Sequence, residues 1–364
     1  MNKLIKCMCV CLCIVSSAVH AESKRVLMLI SSNGTEAKPE LSYDLEELSQ
    51  AYLVLHDNGV QVDIASPKGG AVLVKTNKDS LDYIQRFKSL ALSKLENTLP
   101  ASTIEVSDYQ AIFVVGGAGA MIDLPVHAAT QQMLTQAVHQ ALVITAVCHG
   151  PAALLDIQNT DGTHFVAGKS VNSFTNSEEH AFSAEHLSEF PFFIEDELKA
   201  RGAHYVNNAP MLPFIAVDGN LITAQNPGSV AKAAEATVLA LGLPLKARSP
   251  FADEATMELI ALARSLGPNA ITRAITQTPE KYDLNYLALY GFYAYRLADD
   301  ATKPLELAIM QEVGKSFSHP EYDSQLIAFL LEQGKKDDAI EAVAQFSRKY
   351  PEHEYVAKLR EMVQ

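Results

Sequence analysis

Past residue 21 the chain has a single cysteine, because Cys7, Cys9, Cys11 and Cys13 all fall in the first segment and leave Cys148 alone. One cysteine cannot form an internal disulfide, and a lone thiol in an oxidising compartment is a liability that invites a functional explanation. Basic residues are also scarce, 29 Lys and Arg against 43 Asp and Glu, for a formal charge of -14. Such a balance excludes the basic face that nucleic-acid phosphates require and disfavours docking on anionic lipid. Small molecules or other proteins are the ligands to expect. No standard phosphate loop is present, since Gly116-Gly117-Ala118-Gly119 lacks the Lys-Ser/Thr that would follow. His56, His127, His139, His164, His180, His186 and His204 are scattered without the pair spacing of a zinc helix. Folding can gather His180 and His186 with Glu185, but a surface role is the expectation. No metal and no cofactor is called for. What the chain does have is apolar material, with 48% hydrophobic and 20% charged residues, enough for a packed core.

Residues 1–21 read as a secretory leader. Lys3 and Lys6 precede a short apolar run over residues 7–15, and Val19-His20-Ala21 places small residues at the two positions a signal peptidase inspects. The run is shorter than the roughly 20 residues of a membrane span; a retained signal anchor is the alternative. The expectation is an exported, periplasmic protein with no membrane attachment after cleavage, acting as a homodimer.

From residue 24 to about 243, short apolar runs alternate with helical stretches. Residues 25–30 (RVLMLI), 60–65 (VQVDIA), 111–115 and 142–147 have the near-continuous hydrophobicity of strands buried on both faces. Residues 221–224 form a short late strand, while 45–58 and 229–241 read as helices. The alternation predicts an α/β fold: a doubly wound, mostly parallel sheet flanked by helices, flavodoxin-like in arrangement. After residue 243 strand patterns vanish. Residues 243–250 (LPLKARSP) read as a linker, followed by six helical stretches, so the chain divides into a leader (1–21), a catalytic domain (22–245) and an all-α region (251–364). Gly334, Ala339 and Pro351 fall at spacings similar to the tetratricopeptide helix pair, but only one copy is clear. A peptide-binding solenoid and a plain helical extension both fit.

The sharpest chemical signal is AVCHGPAALL, residues 146–155. A buried strand runs into Cys148, and Gly150-Pro151 start a helix at once, which puts the thiol on a tight strand-to-helix turn like the nucleophile elbow of hydrolases. In that position the sulfur would face the positive end of a helix dipole, which favours the thiolate.

AVCHGPAAL is similar to the nucleophile signature of the ThiJ/PfpI superfamily, whose fold resembles class I glutamine amidotransferase domains. Four other segments agree in order: residues 46–70, FVVGGAGAMIDLP (113–125), VNSFTNSEE (171–179) and DGNLITAQNP (218–227). They span roughly residues 24–243, and the branch resembled includes glutathione-independent glyoxalases (glyoxalase III) and stress-inducible chaperones. The resemblance implies that Glu47 is the acid beside the thiol, where it would bond the sulfur and move protons. Glu46 is then the solvent-facing member of the pair. His149 matches the triad histidine and Glu179 the acid that orients it, with Glu178 as the alternative if the register slips. Gly116 and Gly117, with the N–H of His149, would form the oxyanion and substrate-binding site. Two departures bear on substrate: Ala118 stands where relatives often have histidine, and residues 39–45 (PELSYDL) lack the Gly-aromatic pattern frequent in the branch.

The implied activity is a glyoxalase III-type lyase that turns a small reactive carbonyl, methylglyoxal, into lactate through a hemithioacetal on Cys148. A cysteine-dependent amidase or peptidase is the alternative within enzymes. A holdase chaperone, binding protein clients through the helical tail and sensing redox state at Cys148, is the alternative outside them.

Overall fold

The computed structural model describes residues 23–74 and 78–364, so the leader expected over residues 1–21 lies outside the described residues. Apolar runs become buried strands, as their continuity predicts. The first of them are β1 (Arg25–Leu29), β2 (Gln61–Ser66), β3 (Leu99–Pro100), β4 (Ala111–Val114) and β5 (Val143–Val147). Two short strands follow, β6 (Ser170–Val171) and β7 (His204–Tyr205), and then the hairpin β8 (Ile215–Asp218) and β9 (Leu221–Ala224). The main sheet has the order β3-β2-β1-β4-β5-β9-β8, parallel except for the β8–β9 pair, while β6 and β7 pair separately. The chain winds outward from β1 to β3 and then returns to β4 on the other side of β1. Ligands in such sheets sit beyond the carboxyl ends of the strands at that reversal.

Helices cover both faces. α1 (Leu45–Asp57), α2 (Asp82–Glu96) and the later α7 (Val230–Ala240) lie on one side; α3 (Gly119–Asp123), α4 (Ala128–His139) and the later α6 (Ile194–Ala200) lie on the other. Alternate residues of β1 serve the two layers, Val26 and Met28 in one and Leu27 and Leu29 in the other, all fully buried. That period of two explains why the strand has no polar face. α2 and α4 were not among the expected elements, although Ile84, Phe87, Ala91 and Leu95 mark the buried stripe of α2 at helical spacing. α5 (Asn176–Phe182) follows β6, so residues 171–179 run from strand into helix.

After residue 250 come α8 (Ala252–Leu266), α9 (Ala270–Gln277), α10 (Leu284–Leu297), α11 (Lys303–Val313), α12 (Pro320–Glu332), α13 (Lys336–Lys349) and α14 (Tyr355–Met362). α9 was not foreseen. The helix pair whose spacing resembles the tetratricopeptide unit is α12–α13, where Ala339 is fully buried and Gly334 turns the chain at φ +70°. No helix among the described residues is long and apolar enough to cross a membrane.

The stretch between α7 and α8 lacks regular structure but is pinned at both ends. Lys246 N–H donates to Asn58 Oδ1 (2.8 Å), and Arg248 pairs with Glu235 (2.8 Å) and Glu254 (2.6 Å). Contact between the two regions goes further. Met211 and Leu212, which precede β8, are buried in one hydrophobic cluster with Met257, Ile260 and Tyr290 of the helical region. Gln50 of α1 donates to Asp253 of α8 (2.6 Å).

Candidate active site

The elbow forms as its residues predict. Cys148 follows β5 with φ +56°, a left-handed conformation that costs a non-glycine residue roughly 1–3 kcal/mol and persists only where neighbours hold it. Two backbone bonds do so: Cys148 N–H donates to Ala224 O (2.8 Å), and Phe174 N–H donates to Cys148 O (2.9 Å). The segment after it differs from expectation. Residues Gly150–Leu154 make a short 3-10 helix, not an α-helix, so no long row of aligned peptides points at the sulfur.

The expected thiolate is corrected accordingly. Burial raises the Cys148 thiol well above its ordinary value, with the charges of Glu47 and Asp44 adding to the rise and the Gly117 N–H opposing it. Glu47 is raised as well, first by burial and then by Asp44, against the hydrogen bonds from Cys148 and Gly116 N–H. A buried carboxyl and a buried thiol side by side resist carrying two negative charges, which is why both are raised. The side chain of Glu47 is 1% exposed. Its Oε2 accepts from Gly116 N–H (2.8 Å), while Oε1 is buried with no hydrogen-bond partner among the described residues.

Glu46 is not solvent-facing. It is half-buried on the cleft wall, with Oε1 2.6 Å from Lys78 Nζ and Oε2 accepting from Tyr83 (3.1 Å). Burial and then Asp44 push it up to about 7, against the pull of Lys78. The register assigned Glu47 to the interior correctly; what it missed was the second layer formed by Lys78 and Tyr83, which closes over Glu46.

His149 lies between the thiol and Glu179, with Nδ1 3.2 Å from Cys148 Sγ and Nε2 3.0 Å from Glu179 Oε2. Burial would raise Glu179, but the charge and hydrogen bond of His149 outweigh it and lower the carboxyl below its ordinary value. An ionised Glu179 accepts from Nε2–H, which leaves Nδ1 as the acceptor facing the thiol. The ring of Phe174 packs 4.9 Å from the imidazole.

Glu178 takes a different part. Both carboxylates are buried on α5, and successive helical positions point about 100° apart. Glu178 closes a capping box with Thr175 and accepts from Met211 N–H (2.7 Å) and Asn226 (2.9 Å). It anchors the loop before β8 and does not touch His149.

The glycines fit tightly. A Cβ on Gly116 would lie 2.6 Å from both Cys148 Cβ and Glu47 Oε2, and Gly117, at φ +88°, packs against the backbone of Ser42, Tyr43 and Asp44. The N–H of Gly117 points at the Cys148 sulfur, and that of His149 has no backbone acceptor among the described residues, so both lie beside the atom at which an oxyanion would form. No group of three or more metal-ligating side chains occurs among the described residues, and His186 instead bonds Glu189 (3.0 Å).

Sequence reasoning overlooked Asp44, whose side chain caps α1 by accepting from Glu47 N–H (2.9 Å) and whose charge acts on Glu46, Glu47 and Cys148. Its position before Leu45-Glu46-Glu47 is a readable N-cap signal. Lys78, Phe182 and Tyr293 also line the cleft, and nothing local in the sequence marks them.

The DJ-1/PfpI family model matches residues 24–239. Among curated relatives, the glutathione-independent glyoxalase hsp3102 of Schizosaccharomyces pombe is 33% identical over 165 residues, covering 41% of this chain and 65% of its own. The glutathione-independent glyoxalase hsp3101 of the same organism is 28% identical over 242 residues, covering 60% of this chain and 96% of its own. Among solved structures, the Rapid Encystment Protein 24 kDa of Francisella tularensis is similar with a TM-score of 0.56 and 28% identity, over 60% of this chain and 99% of that one. These matches leave the helical region largely outside them. The chain belongs to the DJ-1/PfpI family.

Proposed function

We propose that the protein is a glutathione-independent glyoxalase that converts methylglyoxal to lactate. The observation that carries this reading is the Cys148 thiol lining an open cleft, with the buried carboxyl of Glu47 packed behind it across Gly116. Relatives named glutathione-independent glyoxalase add to it.

The sulfur adds to the aldehyde carbon as the thiol proton passes to His149 Nδ1, and the N–H groups of Gly117 and His149 hold the oxygen that gains charge. Glu47, in its ionised form, takes the proton from that carbon to give an enediol and returns it to the neighbouring carbon. The former aldehyde carbon is then a thioester and the former ketone carbon an alcohol, so one is oxidised as the other is reduced. Water attacks the thioester, and lactate and the free thiol leave. A carboxyl with a raised pKa suits this shuttle, since it takes and gives a proton at similar cost.

The test is lactate formed from methylglyoxal by purified protein beside Cys148→Ala. Equal lactate from the two removes the reading. The relay Cys148–His149–Glu179 favours a second reading, hydrolysis of an amide or peptide, and acylation of Cys148 by an amide probe without lactate formation would select it. Export to the periplasm belongs to the same proposal and is checked by N-terminal sequencing of the protein from cell fractions.

A further inference from the structure

The cleft above Cys148 has a volume of about 910 Å³, near the top of the roughly 300–1,000 Å³ of sites that enclose drug-sized ligands. A three-carbon dicarbonyl leaves most of it unfilled. The remaining space has its own chemistry. Asp44, Glu46 and Lys78 make part of its wall polar, with Glu46 and Lys78 held to each other at 2.6 Å. Beside them lies Tyr43, whose buried hydroxyl has no partner among the described residues. Phe182 of α5 and Tyr293 of α10 also line it, their rings 4.7 Å apart, so the helical region supplies part of the wall. Ala118 lines the cleft with only a methyl group.

The polar wall selects by charge. Among the described residues, Glu40, Asp44, Glu46 and Glu185 line the cleft with Lys78, while His186 leans on Glu189 and Glu40. A phosphate or carboxylate tail would be repelled. Hydroxyl groups suit both partners, because they donate to carboxylates and accept from an ammonium. A carbon chain bearing hydroxyls also has an apolar edge to lay against the rings of Phe182 and Tyr293.

We infer that the preferred substrate is a 2-oxoaldehyde with an uncharged, hydroxylated chain of five or six carbons, held through its hydroxyls by Glu46 and Lys78 and flanked by Tyr293. The inference rests on the glyoxalase reading and deepens it. The reaction balances as before: the aldehyde carbon is oxidised, the ketone carbon is reduced, Glu47 carries the proton between them, and water supplies the acid oxygen.

Steady-state kinetics with methylglyoxal and with 3-deoxyglucosone on the full chain test it. We expect kcat/KM to favour the six-carbon substrate by about tenfold, and Lys78→Met or Tyr293→Ala to bring that ratio down by a similar factor. A ratio of one or less, or one that neither substitution moves, overturns the inference. A second measurement is independent of turnover: sorbitol should slow alkylation of Cys148 by iodoacetamide more than glycerol does. Equal protection by the two polyols overturns the subsite even if methylglyoxal is consumed. Stronger protection by sorbitol, with neither dicarbonyl turned over, keeps the subsite and removes the glyoxalase reading instead.

Discussion

Glu47 and Cys148 meet across Gly116, and the room for both exists because that residue has no side chain. The carboxylate comes from the first turn of α1 and the sulfur from the end of β5, so the pair depends on how closely β4 lets them approach.

Gly116→Ala should therefore injure stability and turnover together. Its new Cβ would lie 2.6 Å from Cys148 Cβ and 2.7 Å from Val147 O, contacts that no side-chain rotation relieves. We expect about 1–3 kcal/mol of destabilisation in a denaturant titration. The fraction still folded should lose roughly a hundredfold in kcat/KM, as a displaced catalytic pair implies. Full activity in the folded fraction would contradict the packing described.

Glu47→Gln separates the proton from the shape, since the amide oxygen can still accept from Gly116 N–H. Turnover should fall by about 10²–10⁴. Stability should move the other way with pH. The folded carboxyl is raised above its ordinary value, so its ionisation opposes folding, and wild-type protein loses stability to this group as pH climbs through and beyond the ordinary carboxylate range. Between about pH 5 and about pH 8 the unfolding free energy of the variant should gain on wild type. A pH-independent difference would show that burial does not raise Glu47 above its ordinary value.

Glu179→Gln should slow alkylation of Cys148 and lower kcat by about 10²–10⁴, because the imidazole loses the carboxylate that fixes its tautomer. The pH sign is opposite to that of Glu47. Glu179 is lowered by His149, so its contribution is present above the ordinary carboxylate value and lost as pH falls through the folded one. Rate and pH profile identical to wild type would remove Glu179 from the relay.

Glu178→Ala is a stability variant. It strips acceptors from Met211 N–H, Asn226, Gln225 and Thr175, all in a buried setting. About 3 kcal/mol should be lost in chemical denaturation. A loss below half a kcal/mol would mean that water reaches these donors.

Much of this was legible in the residues. Continuous apolar runs such as RVLMLI identify doubly covered strands because alternate side chains need two apolar layers, and β1 shows both. The position of Cys148 was legible because Gly150-Pro151 end a strand and open a turn. Its proton affinity was not, since that depends first on burial and then on Glu47 and Asp44, which are a hundred residues earlier in the chain and arrive only through folding. The type of helix after the elbow was not legible for a related reason: Pro151 permits an α-helix or a 3-10 turn, and the chain takes the latter. Glu46 and Glu47 could be told apart by their spacing from Leu45 and Leu48, yet the cover over Glu46 comes from Lys78 and Tyr83. Tyr293 on the cleft wall had no local signature at all.

Met211 joins two structures at one residue: its backbone N–H holds Glu178, and its side chain is buried among the helices that follow residue 250. Pulling the extension away uncovers thioether and leucine to water and slackens the carboxylate one position from Glu179. The chain should accordingly melt in a single calorimetric step, with heat-induced loss of the extension and of turnover superimposing on one curve. A homologue trimmed to the family boundary would need some other way of sealing that flank.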